Sequence, residues 1–272
     1  MKLKNIFFFL IFCTSGMLKA AVIDTVQTFS KSMEKQIKAI VITPDSYSKG
    51  KQFPVVYLLH GFSDNYKAYV TKMQGIEKWA DTYDIIIVCP DGGFSSWYFD
   101  SPVDHKTKYE TYISNELVNW VDKNYKTIKN SNARAITGLS MGGHGALYLA
   151  LRHQDVFGAA GSMSGGVDFR PFPDNWDIPK RLGKYSENPE NWEKNTVVNL
   201  LNLYKPKGLA LIIDCGTEDF FYAVNTNLHE KLRYLNISHD FISRPGAHDW
   251  NYWSNSIKFQ LLFFNNFFKK NI

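Results

Sequence analysis

Ala133-Arg134-Ala135-Ile136-Thr137-Gly138-Leu139-Ser140-Met141-Gly142-Gly143 is the stretch that decides how this chain is read. Its first five residues form a short β-like segment, and a Gly/Ala-rich stretch through His144 to His153 reads as a helix. Between them lies a G-x-S-x-G run. A serine hydroxyl is a poor nucleophile in water, and it becomes useful when a tight strand-to-helix turn lifts its Oγ toward a base. Glycines two residues either side of Ser140 lack a Cβ, so chain and helix can pass close to the serine. The motif alone is only suggestive; its placement between strand and helix carries the weight.

Working outward, the same alternation repeats. Residues 36–43 read as an early strand paired with one near 23–29, and 54–60 (Pro-Val-Val-Tyr-Leu-Leu-His) is a continuous apolar run, as in a strand buried on both faces. Helical spacing of Val70, Met73, Ile76 and Trp79 predicts one helix over 67–80, followed by strand 84–89 and a helix over 110–124. Further strands are expected at 157–162, 209–214 and 238–243, then a last helix striped with Trp250, Trp253, Ile257, Leu261, Phe264 and Phe268. This pattern predicts an α/β fold with a mostly parallel central sheet and helices on both faces. Ligands of such sheets bind outside the carboxyl ends of the strands. Gly61-Phe62, Asp91-Gly92, Ser140, Ser164, Asp219 and His248 all fall there.

Residues 1–20 read as an export signal: Lys2 and Lys4 give a basic start, Ile6 to Cys13 is apolar, and Leu18-Lys19-Ala20 offers a cut site. Bulky Leu10-Ile11-Phe12 before Cys13 argues against a lipoprotein, and no apolar run is long enough to span a bilayer. Removing the signal leaves 28 of the 31 basic residues against 26 acidic ones. A net charge of +2 instead of +5 gives no case for nucleic acid. The remaining 21–272 suit a single domain that relies on its core, since only Cys89 and Cys215 are left and no repeat or linker divides the chain. The product is expected to be secreted or periplasmic.

A nucleophilic serine needs a base, and the base needs a carboxylate to hold its tautomer. Of the seven histidines, His60 closes a buried strand, His144 and His153 lie on the helix after Ser140, and His105, His229 and His239 occupy loop, helix or strand-start positions. His248 follows Pro245-Gly246-Ala247 just past the last strand, on a loop that can bend over the sheet. It is the expected base. For the carboxylate, Asp214 lies inside a strand run while Asp219 lies on the loop beyond it; Asp219 is favoured, with Glu218 and Asp249 behind. Ser, then Asp, then His is the chain order of α/β-hydrolases. Oxyanion donors are expected from the backbone N–H of Met141 and of Phe62.

Tyr57-Leu58-Leu59-His60-Gly61-Phe62, Asp91-Gly92-Gly93-Phe94-Ser95-Ser96-Trp97-Tyr98, Gly138-Leu139-Ser140-Met141-Gly142-Gly143, Gly216-Thr217-Glu218-Asp219 and Gly246-Ala247-His248-Asp249 occur in one order. Together they resemble the esterase D group of α/β-hydrolases, which includes S-formylglutathione hydrolases, tributyrin-type, feruloyl and acetylxylan esterases, and mycolyltransferases. The resemblance implies the α/β-hydrolase fold, catalysis by Ser140, Asp219 and His248 with the Phe62 and Met141 amides, and no metal or organic cofactor. Nothing in the chain has metal-ligand spacing. It further implies that Cys89 and Cys215 sit on strands too far apart for a disulfide. Residues 164–207 are too long and aromatic for a plain connection and are expected to cap the site. Trp97, Tyr98 and Trp250, with Phe172 and Trp176, are expected to line an acyl or sugar pocket. The implied activity is that of an exported serine carboxylesterase acting on short-chain acyl or carbohydrate-linked (acetyl or feruloyl) esters, small or polymeric. Acyl transfer to a sugar hydroxyl and a formylglutathione thioesterase are the alternatives, and the export signal speaks against the second.

Overall fold

The computed structural model describes residues 20–206 and 208–272, so the stretch 1–20 expected to be an export signal lies outside the described residues apart from its last position. Eight strands form one sheet: β1 (Val22–Ser30), β2 (Lys35–Thr43), β3 (Val55–Leu59), β4 (Ile86–Pro90), β5 (Arg134–Gly138), β6 (Ala159–Met163), β7 (Ala210–Gly216) and β8 (Asp240–Arg244). Their order across the sheet is β1-β2-β4-β3-β5-β6-β7-β8. The hairpin β1–β2 is antiparallel, with Val22 opposite Thr43 and Ser30 opposite Lys35, and β2 runs antiparallel to β4. All later pairings are parallel. This is the α/β-hydrolase architecture, with the antiparallel hairpin at one edge.

Strand β3 shows why the centre reads as an unbroken apolar run. Val55, Tyr57 and Leu59 pack into one core and Val56 and Leu58 into the other, so no position faces water. The first core is covered by α3 (Tyr109–Thr111), a π-helical stretch (Tyr112–Leu117), α4 (Val118–Asn124) and α5 (Met141–Arg152); the second by α1 (Ala68–Lys72), α2 (Ile76–Tyr83) and the terminal helix. Every residue of α5 from Met141 to Leu151 is buried, which Gly142, Gly143, Gly145 and Ala146 make possible by keeping that helix thin. The expected helix over 67–80 is two helices, because Gly75 sits at φ 83° and turns the chain between them.

Residues 164–207 hold α6 (Ile178–Leu182), α7 (Pro189–Asn195) and a 3₁₀ turn (Val197–Leu203). Phe169, Ile178, Leu182 and Trp192 are fully buried and extend the α5-side core. The segment therefore packs mainly on the body of the fold instead of lying over the site. Helix α8 (Tyr222–Tyr234) follows β7, and α9 (Trp250–Asn271) buries Trp253, Ile257, Leu261, Phe264 and Phe268 against the sheet. Cys89 on β4 and Cys215 on β7 are buried free thiols with three strands between them, about 19 Å apart at ~4.8 Å per strand. Among the described residues, no helix is long and apolar enough to cross a membrane.

Candidate active site

Ser140 occupies the turn between β5 and α5 with φ 55° and ψ −117°, a conformation that side chains rarely adopt. The turn is held by Ser140 N–H donating to Met163 O (2.9 Å) and Gly142 N–H to Leu139 O (2.7 Å). The flanking glycines have a concrete reason: a Cβ on Gly138 would lie 2.5 Å from Leu59 O, and one on Gly142 2.1 Å from the same oxygen. Only a bare backbone lets the elbow press onto the end of β3. The hydroxyl is thereby raised above the carboxyl edge of the sheet.

Asp219 and His248 arrive on two loops stitched together. Glu218 N–H donates to Gly246 O (3.0 Å) and Thr217 N–H to Arg244 O (2.9 Å), joining the loop after β7 to the loop after β8. His248 Nε2 lies 2.9 Å from Ser140 Oγ, and its Nδ1 lies 2.8 Å from Asp219 Oδ2. Asp219 Oδ1 accepts from Phe221 N–H at 2.8 Å, which fixes the carboxylate plane. The carboxylate can only accept, so Nδ1 carries the proton and Nε2 is free to take one from the serine. Asp214, the other candidate acid, is a buried residue of β7 itself and accepts from Arg244, Tyr252 and Ser256. Asp249 caps α9 by accepting from Tyr252 N–H. Three segments separated by 108 and 29 positions thus meet in one relay.

Among the described residues, no acceptor takes the N–H of Phe62 or of Met141. Met141 opens α5, whose N-terminal dipole favours negative charge. The Phe62 loop is fastened by His60, a role that sequence reading did not anticipate. His60 Nδ1–H donates to Gly61 O (2.8 Å) and its Nε2 accepts from Gly92 N–H (2.7 Å), tying this loop to the one after β4. Burial pushes the His60 imidazole below its ordinary pKa, and burial holds that of His144 down at about 4, so both stay neutral at neutral pH.

A cavity of about 370 Å³ opens over Ser140, lined among others by Phe62, Trp176, Phe220, His248, Trp250 and Trp253. Trp250, expected from the sequence to line a pocket, is among these lining residues. Trp97 and Tyr98 are not: they are 1% and 0% exposed and belong to the core. The Tyr98 ring fills slots left by Gly92 and Gly145, where added Cβ atoms would meet it at 2.4 and 2.3 Å, and its hydroxyl donates to His60 O. The Trp97 indole N–H donates to Trp176 O (3.1 Å), so it supports the pocket wall from behind. Phe172 packs against the core, and among the described residues of 164–207 Trp176 alone reaches the cavity. Phe220 was missed, although it directly follows the expected acid. A larger cavity of about 820 Å³ surrounds Glu110, Tyr148, Arg152 and His153 at the far end of α5. There Glu110 accepts from all three neighbours, leaving no poised nucleophile or base.

The sequence matches the Esterase family, described as "Putative esterase", over residues 30–264. The chain belongs to the Esterase family. An esterase of Mycobacterium tuberculosis is 36% identical over 134 residues, 48% of this chain, and the match spans only 29% of that longer protein. The diacylglycerol acyltransferase/mycolyltransferase Ag85B of Mycobacterium leprae is 26% identical over 269 residues, covering 85% of this chain and 80% of that protein. Among solved structures, a ferulic acid esterase superposes with a TM-score of 0.80 at 28% identity, covering 92% of this chain and 99% of that one.

Proposed function

We propose that this Esterase-family chain is a serine carboxylesterase in which Ser140, His248 and Asp219 are the nucleophile, base and orienting acid. The single observation that carries the reading is the unbroken relay from Asp219 through His248 to Ser140 at 2.8 and 2.9 Å. His248 Nε2 takes the Ser140 proton as Oγ bonds to the ester carbonyl carbon, and the oxygen that gains charge is met by the Phe62 and Met141 amides. Collapse expels the alcohol, which leaves with the proton from His248. Water then gives a proton to His248 and attacks the acyl-enzyme, releasing the acid and restoring Ser140. Losing one oxyanion donor in such a site typically costs ~10²–10³ in rate.

The substrate class we favour is a short-chain acyl or carbohydrate-linked (acetyl or feruloyl) ester, and the protein is taken to act after export, on the strength of residues 1–20. The enzyme is expected to turn over p-nitrophenyl acetate, and Ser140→Ala to abolish it; comparable rates in both would remove the nucleophile assignment. Similarity to the mycolyltransferase across most of the chain favours a second reading, acyl transfer to a sugar hydroxyl. Free acid as the sole product in the presence of sugar acceptors would argue against it.

A further inference from the structure

The serine-esterase reading, on which this inference rests, needs Asp219 held at a set distance from Ser140. The backbone bonds of Thr217 and Glu218 tie the Asp219 loop to the His248 loop, not to the serine elbow. The elbow is braced instead by the loop after β6. Gly166 N–H donates to Ser140 O at 3.3 Å. Gly165 lies so close behind the first turn of α5 that an added Cβ would stand 3.0 Å from Gly143 C and 3.1 Å from His144 N. Backbone packed on backbone cannot swing aside, so a shift of this loop moves the elbow.

Asn225 on α8 joins that loop to the acid. It is fully buried, and its Nδ2 donates to Gly165 O at 2.8 Å and to Phe221 O at 2.9 Å. Both partners are carbonyl oxygens, which only accept, so the side chain must turn its NH₂ toward them. Phe221 N–H in turn donates to Asp219 Oδ1. Hydrogen bonds and chain neighbours thus run from Asp219 through Phe221, Asn225, Gly165 and Gly166 to Ser140. Among the described residues, no other side-chain hydrogen bond links α8 to the loop after β6. We infer that Asn225 is a positioning residue that fixes the Asp219 carboxylate relative to the Ser140 elbow. Its bond to Phe221 O stays within one helical turn; the bond to Gly165, 60 positions away, is the one that spans the two sides. A residue needed there only for packing would be apolar, like the buried Val224, Leu228 and Leu232 of the same helix.

Asn225→Ser and Asn225→Ala separate the two bonds. A helical serine donates to the carbonyl four residues back, here Phe221 O, but is too short to reach Gly165 O; alanine loses both. The readout is the rate at which a fluorophosphonate phosphonylates Ser140 with loss of fluoride, followed by intact mass at a temperature where urea titration shows each variant folded. Both variants are expected to react about tenfold more slowly than wild type, short of the ~10² that a full 1 Å misplacement can cost. In an Asp219→Asn background the carboxylate is already gone. Adding Asn225→Ser there is expected to slow labelling by less than about twofold, because two changes on one path do not add. A wild-type rate in folded Asn225→Ser, or the same loss persisting in the Asp219→Asn background, would overturn the proposal and leave the esterase reading in place. Wild-type protein whose Ser140 took no label and which turned over no ester would sink both.

Discussion

Gly142→Ala is the substitution that most directly probes how the elbow is built. The added Cβ would stand 2.1 Å from Leu59 O, 2.6 Å from Leu59 C and 2.7 Å from His60 O. Ordinary contact needs about 3.4 Å, so the start of α5 and the end of β3 must separate by about 1 Å, because both neighbours are backbone and cannot swing aside. That separation moves Ser140 Oγ and the Met141 amide relative to the Phe62 amide, which lies three residues beyond Leu59. Misplacing reacting groups by about 1 Å can cost ~10² in rate. Gly142→Ala is therefore expected to lower kcat for p-nitrophenyl acetate ~100-fold or more, with the melting transition lowered but still cooperative. Activity within about threefold of wild type in a folded protein would show that the elbow tolerates a side chain, and the steric reasoning would fail.

Two carboxylates compete in the sequence, and their substitutions are expected to separate cleanly. Asp219→Asn should keep the fold and lower kcat ~10⁴-fold by presenting the wrong tautomer of His248, while Asp214→Asn should act on stability, by about 3 kcal/mol, because it strips the charge partner of Arg244; urea titration beside steady-state kinetics distinguishes them. Glu110 gives a pH dependence. Burial alone would raise its pKa, but hydrogen bonds from His153, Tyr148 and Arg152 prevail and hold it at about 2, below the ordinary 4.5. A depressed carboxylate stabilises the fold above its unfolded pKa and loses that contribution as pH falls toward 2. The shift corresponds to about 3 kcal/mol, so Glu110→Gln should lose about that much at pH 7 and show a flatter stability profile between pH 5 and 2. An unchanged urea midpoint at pH 7 would count against the network.

Much of this was legible in the chain because the signals are local. Buried parallel strands announce themselves as apolar runs, and Gly138, Ser140 and Gly142 needed only their spacing to mark the elbow. His248 stood out by elimination and Asp219 by lying past its strand. What was not legible depends on residues far apart in sequence. Trp97 and Tyr98 looked like pocket walls because they follow a strand end, yet Gly92 and Gly145, 53 positions apart, open the slot that swallows Tyr98. The positioning role of His60 required the loop after β4 to come within reach. Phe220 lay beside the expected acid, but its exposure follows from the turn that Asp219 imposes by accepting from Phe221 N–H. The break at Gly75 was hidden because the apolar spacing continues straight across it.

The central claim is that one hydroxyl, on Ser140, carries the acyl group. Quenching the protein with acid during p-nitrophenyl acetate turnover and mapping its peptides by mass spectrometry tests this without reference to any rate constant. The expected result is a single acetyl group on the Ser140 peptide of the wild type, absent from Ser140→Ala. Acetyl found on another residue at a competent rate, or turnover that persists without Ser140, would contradict the account.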